Sequence, residues 1–190
     1  HGDIDEAEID KIVPSQVSLL GDAKAILEAL EAKTPPACRG SWAEKISGWK
    51  ETYPISDPED REFVPSAILE RVKGSSGENW PAVADVGQNQ MWTALFYKTS
   101  RPGAFLTSGG LGTMGYALPA AMGASLAGGK TPAVCFAGDG GFLMNCQELE
   151  TCARYNIPVK IFVLNNHALG MVRQWQELFW DERYSATTPQ

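Results

Sequence analysis

From Val64 onward, short apolar runs alternate with longer stretches whose apolar residues recur every third or fourth position. The runs at 82–86, 104–107, 132–137 and 159–164 have the length and composition of strands. The stretches around them predict helices over 65–73, 88–97, 113–127, 141–154 and 168–180. Strands that are apolar throughout, each separated from the next by a helix, predict an α/β fold, a parallel sheet with helices on both faces.

The first part of the chain reads differently. Val17–Leu20 predicts a short strand, and Gly21-Asp22 turns into a helix that Asp22 can cap, with Ile26, Leu27 and Leu30 as its apolar stripe. These first 33 residues are too few for a core of their own and are expected to be the tail of a preceding domain. Thr34-Pro35-Pro36 breaks the helix. A second helix is expected over Ser41–Tyr53, with Trp42, Ile46 and Trp49 on one face, and Pro54 to Pro58 ends it. The expected organisation is a domain tail at 1–33, a linker at 34–60 and a main domain at 61–190. The opening lacks an initiator Met, and Gln190 follows no closing element. Both ends are therefore expected to lie inside a longer protein, with the main domain truncated at its carboxyl end. No internal repeat or low-complexity tract is present.

Composition narrows the classes. The 190 residues are 44% hydrophobic and 21% charged, ordinary for a soluble globular protein. A net charge of -7 without clustered Lys and Arg argues against a nucleic-acid or anionic-membrane surface. No apolar segment approaches the roughly 20 residues of a membrane helix, and no signal peptide opens the sequence, so the cytoplasm is the expected compartment. Cys38, Cys135, Cys146 and Cys152 show no CxxC spacing and are expected as free, mostly buried thiols. Two histidines leave little for a histidine-based zinc site.

The chemistry concentrates at two strand ends. Gly138-Asp139-Gly140-Gly141 follows the run Ala133–Ala137, and Asn165-Asn166 follows Val159–Leu164, with 24 residues, 141–164, between Gly140 and Asn165. Ligands of open parallel sheets bind beyond the carboxyl ends of the strands. There a carboxylate and an amide oxygen beside a glycine-rich turn suit a hard divalent cation carrying a diphosphate. Mg2+ takes about six oxygens, typically one or two carboxylates plus substrate phosphates. Asp139 supplies the carboxylate, Asn166 an amide oxygen, and the Ala168 carbonyl a third ligand, while Gly140 and Gly141 let backbone N–H groups approach the phosphate. Taken singly, each motif also reads as a strand-to-helix turn or a helix cap; the pairing on successive strand ends is what points to a site.

Gly110-Leu111-Gly112-Thr113-Met114-Gly115 is a literal GxGxxG after a short strand, with an acid, Asp139, 24 positions beyond Gly115. It leaves a nicotinamide-binding module open as an alternative. The two glycines that follow Asp139 suit phosphate and metal better than a ribose hydroxyl.

GDG followed by NN resembles the thiamine-diphosphate signature. Asp85-Val86-Gly87-Gln88-Asn89-Gln90-Met91-Trp92, Thr107–Gly115 and Gly170-Met171-Val172-Arg173-Gln174-Trp175-Gln176 are similar to the acetolactate synthase large-subunit family, over most of 80–185. Asp3-Ile4-Asp5 and Gly21-Asp22-Ala23-Lys24 resemble the end of that family's central flavin-binding domain.

The resemblance implies a transferase that condenses two 2-oxo acids, pyruvate with pyruvate or 2-oxobutanoate, with loss of CO2, in branched-chain amino-acid biosynthesis. It implies Mg2+ on Asp139, Asn166 and the Ala168 carbonyl, and thiamine diphosphate held by Gln88, Asn89, Gly112, Met114, Gly138, Asp139, Gly140, Gly141 and Asn166. Met114 would lie beneath the bend of the cofactor. Met171, Val172 and Trp175 would line the substrate entrance, although Met171 and Trp175 also read as a core stripe. FAD, a homodimer or tetramer and a regulatory small subunit are implied for the parent protein. The activating Glu belongs to an amino-terminal domain, so no catalytic residue is assignable in this chain and the chain alone is expected to be inactive. Other thiamine-diphosphate carboligases, oxidases or decarboxylases remain alternatives. Asn89 stands where the family usually has His, and Gly141 and Leu143 where it has Ser and Gln; Leu143 removes a polar group expected near the cofactor.

Overall fold

The structure is a computed structural model that describes residues 1–37, 40–55 and 64–188. It divides into two compact units, His1–Pro54 and Ile55–Gln190. Cys38 and parts of the expected 34–60 linker lie outside the described residues.

In the first unit β1 (Gly2–Asp3) pairs in parallel with β2 (Leu19–Leu20). The Asp22 carboxylate accepts the N–H groups of Lys24 and Ala25 and so caps α1 (Ala23–Lys33), as its position predicts. On α2 (Gly40–Thr52), Trp42 stands edge-on to Trp49 at 5.6 Å, with the Lys45 ammonium over both rings. None of the described residues of this unit is buried. The Leu19 N–H donates to the His1 carbonyl at 2.8 Å and the Gly21 N–H to the Asp3 carbonyl at 2.9 Å, which ties β1 to β2.

The second unit runs α3 (Pro65–Ser75), β3 (Ala82–Ala84), α4 (Gln88–Phe96), β4 (Phe105–Thr107), α5 (Ala117–Ala127), β5 (Ala133–Gly138), α6 (Asp139–Asn145), α7 (Glu148–Tyr155), β6 (Val159–Leu164) and α8 (Gly170–Phe179). Among its described residues four strands form one sheet, all parallel, in the order β4-β3-β5-β6. Side chains alternate across the sheet, as the pleat requires. Ala82, Val134 and Phe136 pack with Leu69, Val72 and Tyr97 of the α3–α4 side. Val83, Ala133 and Cys135 pack with Ala117, Leu118, Ala121 and Met122 of α5. This is the expected parallel sheet with helices on both faces. The central strand β5 is sealed on both sides, from Ala133 to Ala137, and Phe136 lies between the rings of Tyr97 at 5.2 Å and Phe162 at 5.6 Å.

Two helices depart from the periodicity. The helix expected over 113–127 begins at Ala117. Gly112 and Gly115 hold φ of 65° and 83°, which no right-handed helix contains, and the Gly115 N–H bonds to Asp85 instead of continuing a helical ladder. The helix expected over 141–154 is two helices, α6 and α7. At the start of α7 the Leu149 and Glu150 N–H groups donate to the carbonyls of Cys146 and Gln147, bonds of the tighter 3-10 type.

Strand order places the functional edge. From β3 the chain goes first to one side, to β4, and then to the other, to β5 and β6. The reversal between β3 and β5 is a topological switch point, where the connections diverge and leave a crevice at the strands' carboxyl ends.

Candidate functional site

A cleft of about 280 Å3 opens at that switch point. Three strand ends build it. β3 contributes Val86 to Asn89 and, from α4, Trp92; β5 contributes Gly138 to Gly141; β6 contributes Leu164, Asn166 and Ala168 to Val172, and Met114 reaches in from the loop before α5.

The last rung of the β5–β6 ladder pairs Gly138 with Leu164, so Asp139 and Asn165-Asn166 leave the sheet as neighbours. No side chain caps α6, whose N-cap is Gly138. The Asp139 carboxylate accepts the Gly140 N–H at 2.9 Å and is half-buried. It is the one carboxylate among the described lining residues. After β6 two amide side chains fold the backbone back: Asn165 Oδ1 accepts the His167 N–H at 3.0 Å, and Asn166 Oδ1 accepts the Ala168 N–H at 3.1 Å. The bend places His167 at φ 55°, a left-handed conformation that local side-chain bonds offset. Asn166 Nδ2 donates to Gln88 Oε1 at 3.4 Å, and Gln88 Nε2 donates to Gln174 Oε1 at 3.1 Å, which ties the ends of β3 and β6 to α8.

Gly140, Gly141 and Gly170 are close approaches, whereas Gly87, at φ 98°, and Gly138 have open space beside them. A Cβ on Gly140 would overlap Leu169 Cδ2 and touch Met114 Cε at 3.6 Å; one on Gly170 would overlap Gln88 Oε1. Gly141 meets a further constraint. The space beside it belongs to the Asp85 carboxylate, 2.6 Å from where its Cβ would stand.

Asp85 is the residue that motif reading passed over. It is 1% exposed. Its Oδ1 accepts the N–H groups of Val86 at 2.9 Å and Gly115 at 3.1 Å, and its Oδ2 accepts that of Ala117 at 2.9 Å. The signal available was an acid directly at the end of a wholly apolar strand, a costly place for a charge unless donors meet it.

Of the residues singled out from sequence, Gln88, Asn89, Met114, Gly138, Asp139, Gly140, Gly141, Asn166, Ala168, Met171 and Val172 line this one cleft. Asn89 is buried, with Nδ2 donating to the Asp85 carbonyl at 2.8 Å, so part of its donor capacity is already committed. Gly112 and Trp175 do not line the cleft. Gly112 sits in the exposed loop, and Trp175, 59% exposed, stacks edge-on with Phe179 at 5.8 Å. Leu143 also stands away from it, on the exposed side of α6. Cys135 is a buried free thiol, while Cys146 and Cys152 are half-buried rather than enclosed.

The GxGxxG does not form a dinucleotide cradle. A cradle needs free N–H groups at a helix start directly after the strand. Here α5 starts at Ala117, the Gly115 and Ala117 N–H groups are taken by Asp85, and β4 is separated from Asp139's strand by β3.

Chemically, the cleft offers one carboxylate, the amide side chains of Gln88, Asn89 and Asn166, and backbone carbonyls beside an uncapped helix start. Among the described residues no group of three His, Cys, Asp or Glu could hold a metal unaided. A cation here would need further oxygens from its ligand, as Mg2+ on a diphosphate does. No helix among the described residues is long and apolar enough to cross a membrane.

The family model described as thiamine pyrophosphate enzyme, C-terminal TPP binding domain, matches residues 85–190. An acetolactate synthase of Mycobacterium bovis is 45% identical over 195 residues, covering 98% of this chain and 32% of that protein. The acetolactate synthase isozyme 2 large subunit of Escherichia coli is 43% identical, covering 99% and 34%. A probable acetolactate synthase large subunit of Methanococcus aeolicus is 42% identical, covering 96% and 34%. The chain spans about a third of the length of the curated relatives it matches.

Proposed function

The chain belongs to the thiamine pyrophosphate enzyme C-terminal TPP-binding domain family, and on that premise we propose that it is the diphosphate-binding portion of an acetolactate synthase. The parent enzyme would join two 2-oxo acids, pyruvate with pyruvate or 2-oxobutanoate, with loss of CO2, in the cytoplasmic synthesis of branched-chain amino acids. The observation that carries this reading is the convergence of Asp139, Asn166, Gln88 and Met114 on one cleft at the switch point of the sheet.

The residues present fit thiamine diphosphate with Mg2+. Asp139, the Asn166 amide oxygen and the Ala168 carbonyl would hold the metal, and Gly138 to Gly141 leave backbone room for the diphosphate beside the start of α6. When bound, the cofactor supplies the electron sink that stabilises the negative charge left as CO2 departs from a 2-oxo acid. This chain's share is placement. Met114, packed toward Gly140, offers an apolar surface to the middle of the ligand. Gln88 and Asn166, bonded to each other, orient the polar end. Met171 and Val172 border the mouth, where they would exclude water and limit the size of the second 2-oxo acid.

In the longer protein, residues 1–33 would belong to the edge of a flavin-type domain, with FAD as a further ligand, and 61–190 to the diphosphate-binding domain. The group that withdraws the cofactor's proton would come from outside this chain, so the chain alone would not form acetolactate. The words "large subunit" in the names of relatives support a small-subunit partner, and a homodimer or tetramer is the proposed assembly.

Calorimetric titration with thiamine diphosphate, with and without Mg2+ and in comparison with NAD, tests the reading. Mg2+-dependent binding of thiamine diphosphate is expected; tighter binding of NAD would overturn it. Product analysis of the parent enzyme supplied with pyruvate then separates acetolactate formation from simple decarboxylation or oxidation.

A further inference from the structure

Met114 reaches the cleft from a loop that contains two positive-φ glycines, and loops of that kind do not hold a side chain in place by themselves. What holds this one is a grip on the next residue, Gly115. The Gly115 N–H donates to Asp85 Oδ1 at 3.1 Å, and the Gly115 carbonyl accepts Asn145 Nδ2 at 2.8 Å. The two partners come from different elements, the end of β3 and the last turn of α6. The fit leaves no slack. A Cβ on Gly115 would stand 2.7 Å from both Asn145 Nδ2 and Met144 Cβ, and Gly115 itself is buried.

The chemistry of Asp85 makes the grip specific. A carboxylate with 1% exposure is costly unless it is paired or fully hydrogen-bonded. Asp85 forms no ion pair among those of the described residues; the N–H groups of Val86, Gly115 and Ala117 meet its charge. Charged acceptors make the stronger and shorter class of hydrogen bond. Gly141, without a side chain, leaves the carboxylate room to reach the loop.

We infer that Asp85 and Asn145 are positioning residues that grip Gly115 by its N–H and its carbonyl, one on each side of its Cα, and thereby fix Met114 against Gly140 in the cleft. Neither side chain needs to touch the ligand. Their effect passes through Met114, whose surface the bent middle of thiamine diphosphate would rest on, so the inference rests on the thiamine-diphosphate reading.

The test uses the full-length protein, saturated with thiamine diphosphate and Mg2+, and reads the near-ultraviolet circular dichroism induced in the cofactor together with its dissociation constant. Asn145→Ala is expected to lower the induced dichroism per bound cofactor by about half or more, because an ångström-scale displacement of a positioning group is enough to alter bound geometry. Asp85→Asn, which turns an amide N–H2 toward N–H donors, acts in the same direction. In a Met114→Ala background neither change has a further effect, since residues acting through one group are non-additive. An unchanged dichroism in Asn145→Ala, or an equal fractional loss with and without Met114, would overturn the inference. Asn145 is only half-buried, so its variant decides the matter even if Asp85→Asn does not fold. Failure of the unaltered protein to bind thiamine diphosphate at all is a separate result, and sinks the proposed function itself.

Discussion

Gly138 and Leu164 stand opposite each other on the last rung of the β5–β6 ladder. Parallel strands lie about 4.8 Å apart, so Asp139 and Asn165, the residues that follow, leave the sheet side by side. A carboxylate and a pair of amides that are 26 positions apart in the chain, 139 to 165, become adjacent through strand pairing alone.

Asp139→Ala is expected to abolish the Mg2+-dependent part of thiamine-diphosphate affinity, a loss of about 100-fold or more, since even changes to a metal ligand's hydrogen-bond partners cost 10–100-fold. Titrations with and without Mg2+ measure it. Retained Mg2+ dependence in the variant would locate the cation on other ligands.

Gly170→Ala would push a methyl group into Gln88 Oε1 and to 2.8 Å from Asn166 Nδ2. The hydrogen bond between those side chains has to give way, and overpacking of this kind costs about 1–3 kcal/mol. The expected outcome is weaker cofactor binding together with a lowered unfolding midpoint in urea. Normal affinity in a fully stable variant would show that the Gln88–Asn166 link has no part in binding.

The fold class was legible because wholly apolar strands and intervening helices can only bury themselves as a covered parallel sheet. The α5 start was not. Glycine spacing resembles a helical approach until Gly115 adopts φ of 83° to meet a carboxylate 30 positions upstream, at Asp85. Most of the site was legible too, because strand ends in such a sheet face one crevice. Trp175 illustrates the limit. The α8 periodicity puts it one turn beyond Met171, yet Met171 lines the cleft and Trp175 stays in solvent. Which member of a stripe reaches inward depends on the tilt of the helix, and spacing carries no information about tilt.

Burial and the nearby Asp85 charge, followed by Cys152, push the Cys135 thiol from an ordinary 9.0 up to about 12. The folded state then favours the protonated thiol, so this contribution to stability is complete below pH 9.0 and is lost as the pH rises through about 12. Urea midpoints measured across that window should fall with pH, and Cys135→Ala should flatten the slope. An identical slope in the variant would mean that other groups control alkaline unfolding.

Asn156 ends α7 at φ 49° and ψ 52°, a left-handed conformation that Asn and Gly tolerate best. Asn156→Ala is expected to lose about 1 kcal/mol by thermal or urea unfolding, and Asn156→Gly to remain near neutral or gain slightly. Equal losses in both variants would tie the residue's role to its side chain rather than its backbone.

The loop that carries Gly112 and Gly115 before α5 and the direct step from Gly138 into α6 both lie at the carboxyl edge of this sheet. Asp85 already resides at the first, holding the N–H groups of Gly115 and Ala117 as a tethered ligand that never dissociates. An anion in solution would have to displace that carboxylate to reach the same two N–H groups. The N–H groups of this loop are in this way occupied from within, by a carboxylate of the protein itself.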